Sequence, residues 1–209
     1  MPLFKHLNIS KDCNIYIWKV VENVEELQGQ VRLAEKELDR FNRFGSESRK
    51  KEFLATRLLV QKCINSNLRI ENNEYGKPFL NNSNLNISIT HTKNFAAIFV
   101  CKNAIPALDM EYLSNRVHKL AGRFLSESEL QNISKSNKTL HLYQHWCAKE
   151  CLIKLYGKKD VNLIDNLIIH PFSVEQKIFT GEVRCIDFSG IYTFQCITFD
   201  GYLLVYSSK

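Results

Sequence analysis

Long apolar runs, glycine and proline are all scarce in this 209-residue chain. With only 8 glycines and 4 prolines, a collagen-like or linker-dominated architecture is excluded. The longest apolar stretches, such as residues 95–101, fall far short of the roughly 20 residues that span a bilayer. No apolar segment with a small-residue cleavage site follows Met1, so a secretory signal is not expected. Also missing are a C-x-x-C pair, a G-x-x-x-x-G-K-[ST] phosphate loop, a G-x-G-x-x-G turn and a G-x-S-x-G elbow. Those gaps argue against a zinc ribbon, a P-loop nucleotidase, a dinucleotide-binding enzyme and an α/β-hydrolase. The expectation is a cytoplasmic protein whose 7 cysteines are unpaired, most of them packed as small core residues. The Asn-Ile-Ser sequons at Asn8, Asn86 and Asn132 then carry no glycan.

What is present is an ordinary globular composition, 44% hydrophobic and 24% charged, with enough length to bury a core. Lys and Arg outnumber Asp and Glu by 28 to 22, a net charge of +6. That excess favours acidic partners without choosing among nucleic acid, phosphorylated small molecules and acidic proteins. The densest basic run, Arg49-Lys50-Lys51, is flanked by acids, and no nucleic-acid motif accompanies it.

The order of elements looks duplicated. Residues 14–20 alternate as a strand, and 25–44 show helical spacing through Leu27, Val31, Leu38 and Phe41. Ser46 opens a second helix over 49–64, carrying Phe53, Leu54, Leu58, Val60 and Ile64. Stretches 85–90 and 95–101 form a hairpin around His91–Asn94. The second half repeats the pattern. A strand covers 105–110, a helical region begins at 117–125, and Ser126-x-x-Glu129 is a capping box. A long helix over 139–156 is closed by Gly157, and strands 192–199 and 202–206 turn at Asp200-Gly201. The predicted fold class is α+β, two similar halves over residues 1–103 and 104–209 packed as one unit.

Asp109 and Glu111 end the 105–110 strand two residues apart, so both face one way. Oxygen donors of this kind suit Mg²⁺, although an acidic loop beyond a strand end is the commoner outcome. Glu150 and Lys154 share a face of the long helix, where an i,i+4 surface ion pair is the ordinary reading. His141 and His145 share that spacing, but Leu142 occupies the glutamate position of H-E-x-x-H, and zinc is rejected. His91, between Thr90 and Thr92, reads as a turn histidine or a phosphate contact; Lys77 lies in a Gly76-Lys77-Pro78 turn.

Taken in order, Gly76-Lys77-Pro78, Ser88–Thr92, Asp109-Met110-Glu111 and Trp146–Lys154 resemble the 4′-phosphopantetheinyl transferase superfamily, in its longer pseudo-dimeric, surfactin-synthetase-activating type. Arg123-Phe124-Leu125-Ser126 with Glu129 also looks like a family segment. The likeness covers roughly residues 40–160. Departures are small: Thr90-His91-Thr92 for S-H-S, Ala107 for a glycine, and Cys151 for Ala or Ser.

The resemblance implies two α+β halves about a pseudo-twofold axis. It also implies transfer of the 4′-phosphopantetheine group from coenzyme A to a serine of an acidic apo acyl or peptidyl carrier protein. By position, Asp109, Glu111 and Glu150 would hold Mg²⁺, Glu150 would act as general base, and Lys154 would stabilise the attacked phosphate, with Trp146 packing the helix beneath them. Lys77, Thr90, His91 and Arg49 would bind coenzyme A, His91 or Arg49 at its 3′-phosphate. A monomer without nucleic-acid or membrane partners is expected. The alternative is a non-catalytic module of the same fold that binds coenzyme A or an acidic protein; a basic nucleic-acid binder rests on charge alone.

Overall fold

The computed structural model describes residues 3–158 and 160–209. The fold is α+β and divides into two compact units, Met1–Ala104 and Ile105–Lys209. Among the described residues no helix is long and apolar enough to cross a membrane.

In the first unit, β1 (Leu3–Ser10), β2 (Cys13–Lys19), β5 (Asn86–Thr92) and β6 (Phe95–Cys101) form an antiparallel sheet of order β1-β2-β6-β5. The pair β3 (Ile70–Asn72) and β4 (Pro78–Leu80) stands apart as its own ribbon. The long helix α3 (Glu47–Cys63) lies over the sheet, with Leu54, Leu58 and Leu59 wholly buried against Trp18, Ala96 and Ile98. Ser46 caps it, its hydroxyl accepting from the Arg49 N–H. The single helix expected over 25–44 is instead two: α1 (Val24–Gln28) and α2 (Glu35–Asn42). Each has its own start, because Glu26 and Glu37 accept from the N–H groups of Asn23 and Ala34. Leu38 therefore faces solvent while Leu27, Val31 and Phe41 are buried.

Two further expectations change here. The hairpin turn is tighter than the four residues proposed: His91 and Thr92 remain in β5, and Asn94 takes the left-handed conformation at φ 64°. Cys13 and Cys101 are joined by a disulfide, where the sequence suggested free thiols. The physical reason is register, which sets the two directly opposite in the β2–β6 ladder with Cα atoms 4.3 Å apart.

The second unit carries a five-stranded sheet of order β7-β11-β10-β9-β8, from β7 (Pro106–Tyr112), β8 (Leu167–Ile169), β9 (Ile178–Cys185), β10 (Phe188–Phe199) and β11 (Tyr202–Ser208). Strands β8 and β9 escaped the sequence reading, as did β1, β3 and β4; β3, β4 and β8, at three residues each, are too short to show a period. The helix expected from Val117 is two 3₁₀ turns, Asn115–Lys119 and Ala121–Arg123, leading into α4 (Glu127–Gln131). The central helix α5 (Lys138–Tyr156) ends at Gly157, whose φ of 77° favours a residue without Cβ. Asp200 and Gly201 both take positive φ in the β10–β11 turn, as a two-residue hairpin of this hand requires.

The two units share a plan that the sequence pattern only hinted at. In each, the strand before the helices pairs antiparallel with the last strand, which pairs with the strand before it: β2-β6-β5 and β7-β11-β10. In each, a glutamate three residues into a short helix accepts from its own cap N–H, and the same carboxylate binds a buried cation 20 residues on. Glu37 does so with Arg57 (2.9 Å) and Glu129 with Lys149 (2.8 Å).

Lys149 is wholly buried and has three acceptors: Glu129, the Phe124 carbonyl (2.6 Å) and the Leu163 carbonyl (2.8 Å). The second oxygen of Glu129 accepts from the Ile169 N–H, tying β8 to the same node. Removing one side of such a pair leaves a buried charge. Lys149→Met should therefore destabilise the protein by about 3–5 kcal/mol in urea unfolding, and adding Glu129→Gln should recover part of it. A loss near the 0.5 kcal/mol of an ordinary surface change would overturn this role.

His141 and His145 are buried beside Phe172, not surface ligands. Burial holds the His145 imidazole down to about 4, against about 6.5 for an exposed histidine. The unfolded chain thus takes up the proton first as pH falls, and stability drops between pH 6.5 and 4. The contribution is roughly 3 kcal/mol. Urea midpoints measured across that range should fall with pH, and His145→Leu should flatten the slope.

Candidate active site

Residues 109 and 111 lie on one face of β7, and α5 packs across the sheet that contains it. Asp109 is buried and Glu111 partly so; from α5, Glu150 comes into the same electrostatic neighbourhood. Burial raises the Glu150 carboxyl to about 7, with the negative charge of Asp109 and then Glu111 adding to it and Lys154 opposing. Burial likewise raises Glu111, again helped by Asp109. The three acids expected from the sequence are therefore coupled by charge around one place in the second unit.

They do not stand as a ready-made ligand cage. Among the described residues no three His, Cys, Asp or Glu side chains converge in a way that would hold a metal ion. Two of the carboxylates are engaged by neighbours. Lys154 donates from Nζ to Asp109 Oδ1 (2.9 Å) and to the Leu108 carbonyl. The ion pair is thus made across to β7, where helical spacing alone suggested Glu150. Trp146 Nε1 donates to Glu111 Oε1 (3.3 Å), so this indole does more than pack beneath the helix. The donor set itself fits Mg²⁺: oxygen ligands only, with negative charge in excess of the single lysine seated on it.

The second group of expected residues lies in the first unit. Arg49 and His91 meet there: Arg49 Nη1 is 3.2 Å from His91 Nε2, and Glu52 contacts both, at 3.1 Å and 3.3 Å. They line a cavity of about 210 Å³ with Phe53, Thr56, Arg57 and Arg40. Ile89 and His91 face it from β5, which by alternation sends Thr90 to the opposite, buried face. Lys77 sits in the turn between β3 and β4, its ammonium disfavoured by burial, and is not part of the cavity wall.

Arg40 and Arg57 were missed from the sequence. The signal was available for Arg57: residues 49, 52, 53, 56 and 57 follow the helical period along one face of α3. Arg57 is buried, stacked 3.3 Å over the Phe53 ring, and lowered to about 10 by that burial despite Glu37.

The acid cluster belongs to one unit only. Leu58 follows Arg57 in α3 as Glu150 follows Lys149 in α5, and β2 contains no carboxylate at all. The family-model match falls within the second unit. Residues 107–206 match the family model described as the 4′-phosphopantetheinyl transferase superfamily. The 4′-phosphopantetheinyl transferase gsp of Aneurinibacillus migulanus is 29% identical over 112 residues, 51% of this chain and 46% of that protein. A protein of Synechocystis sp. named as a candidate 4′-phosphopantetheinyl transferase is 26% identical over 144 residues, 62% of this chain and 58% of its own length. The matches thus span about half the length of these curated relatives. Residues 107–206, which contain Asp109, Glu111, Glu150 and Lys154, are thus the part of the chain that is similar to the 4′-phosphopantetheinyl transferase superfamily.

Proposed function

We propose that this protein transfers the 4′-phosphopantetheine group of coenzyme A to a serine hydroxyl of an apo carrier protein, in a Mg²⁺-dependent reaction. The observation that carries the reading is the charge-coupled trio Asp109, Glu111 and Glu150 beside Lys154, inside the segment that matches the family. In this reading the three carboxylates would hold Mg²⁺, which when bound supplies charge neutralisation at a diphosphate.

The chain's own residues have separate tasks. Glu150, flanked by acids and partly shielded from water, accepts the proton of the incoming serine hydroxyl. The serine oxygen bonds to the phosphorus that carries the pantetheine arm, and the bond to the adenosine 3′,5′-bisphosphate leaving group breaks. Lys154, held on Asp109, offers a positive charge to the phosphate oxygens as negative charge develops there. Arg49 and His91, with Arg40 beside them, provide a cationic cavity suited to the 3′-phosphate of coenzyme A. Lys77 and Thr90 are assigned to the same molecule by their position in the family pattern. The shared strand order of the two units supports reading them as two copies of one α+β plan, of which the second keeps the acids. A net charge of +6 suits an acidic carrier and predicts docking that weakens with salt.

Incubation with coenzyme A, Mg²⁺ and a panel of apo carriers, followed by intact-mass measurement, tests the reading: one carrier should gain the arm. No gain on any carrier, with coenzyme A still bound, would indicate a binding module. Glu150→Gln should abolish transfer without lowering the thermal-unfolding midpoint, since it removes both a ligand charge and the base and relieves a buried carboxylate. Near-normal turnover would remove Glu150 from the chemistry. Arg49→Ala should raise the KM for coenzyme A about tenfold, the loss of roughly one charge-assisted hydrogen bond, with kcat little changed. Dephospho-coenzyme A, lacking the 3′-phosphate, should show no such difference between the two proteins.

A further inference from the structure

Glu111 reaches the acid cluster from β7 with a neighbour that the proposed chemistry does not use. The indole N–H of Trp146, on α5, donates to its Oε1 at 3.3 Å. A carboxylate side chain at a strand end has several rotamers, and a hydrogen bond to one of its oxygens selects among them. Trp146 is itself held. Its ring meets the Phe124 ring edge to face, with centroids 5.1 Å apart, and the Phe124 carbonyl is bound by the buried Lys149 ammonium three residues along the same helix. Phe124 is wholly buried and Trp146 only partly, so the ring is clamped on its inner side with its N–H directed at Glu111.

We infer that Trp146 is a positioning residue: through its N–H it orients Glu111 for a divalent cation, and Phe124 and Lys149 fix the indole that does so. The inference rests on the cation-binding reading above. It concerns a donor outside the ligand set, where loss of an orienting hydrogen bond typically lowers metal affinity 10–100-fold. Trp146→Phe is the informative change, because it keeps an aromatic ring against Phe124 and deletes the N–H.

Mn²⁺ serves as the probe, since it suits the same oxygen donors and its free ion is counted directly by electron paramagnetic resonance. Titration of the intact protein without coenzyme A should give 10–100-fold weaker Mn²⁺ binding for Trp146→Phe at a temperature where both proteins are fully folded. Equal affinity in the two proteins overturns the role of Trp146 and leaves the cation reading standing. Absence of Mn²⁺ binding to the unaltered protein overturns both. Should Trp146→Phe not fold, the chain's 2 tryptophans allow a second measurement in Trp18→Phe. Emission from the remaining Trp146 should change on Mn²⁺ addition and not in the added presence of Glu111→Gln; an emission indifferent to Mn²⁺ overturns the proposal.

Discussion

A fully buried ammonium organises the second unit. Lys149 is charged and out of contact with water, so it is tolerable only where its three protons find acceptors of good geometry. Those acceptors come from Phe124, Glu129 and Leu163, and Glu129 in turn holds Ser126 and Ile169. One charge thereby joins α4, α5, β8 and two loops. It also sets the rotation of α5, since Lys149 can point inward at that node in only one way. Trp146, Glu150 and Lys154 lie within five residues of it on the same helix, and their directions follow from that single constraint.

The candidate active site shows the opposite balance. At the Lys149 node, charge is compensated; around Asp109, Glu111 and Glu150, three carboxylates outnumber the nearby cations Lys154 and Arg116 among the described residues. Burial, and then the negative charge of Asp109, raises Glu150 and Glu111 together. Stability alone gives no reason to gather like charges beneath an apolar helix, because each added carboxylate costs desolvation that one lysine does not repay. An arrangement that stores negative charge at a strand end is intelligible as a receptor for positive charge.

Comparison of the units sharpens the point. The first unit repeats the sheet order and the glutamate–cation pair, so the scaffold is common to both. It replaces Glu150 by Leu58 and has no carboxylate on β2, so scaffold and site are separable. What the first unit builds instead is a cavity lined by Arg40, Arg49, Arg57 and His91 together with Glu52, in which positive charge is in excess.

Much of this was legible in the linear order. Hydrophobic period and end signals located α3, α5, β7 and the β10–β11 turn, because Ser46, Gly157 and Asp200-Gly201 act over a few residues. The i,i+2 and i,i+4 spacings brought Asp109 to Glu111 and Glu150 to Lys154. Contacts between elements were beyond such reasoning. That Lys154 binds Asp109, that Trp146 reaches Glu111 and that Thr90 turns away from His91 depend on how α5 and β5 are rotated in their packing. So does the opposition of Cys13 and Cys101, which is a matter of strand register. Local propensities decide which residues enter a helix or strand; only close packing and the need to satisfy every buried charge decide which side chains meet.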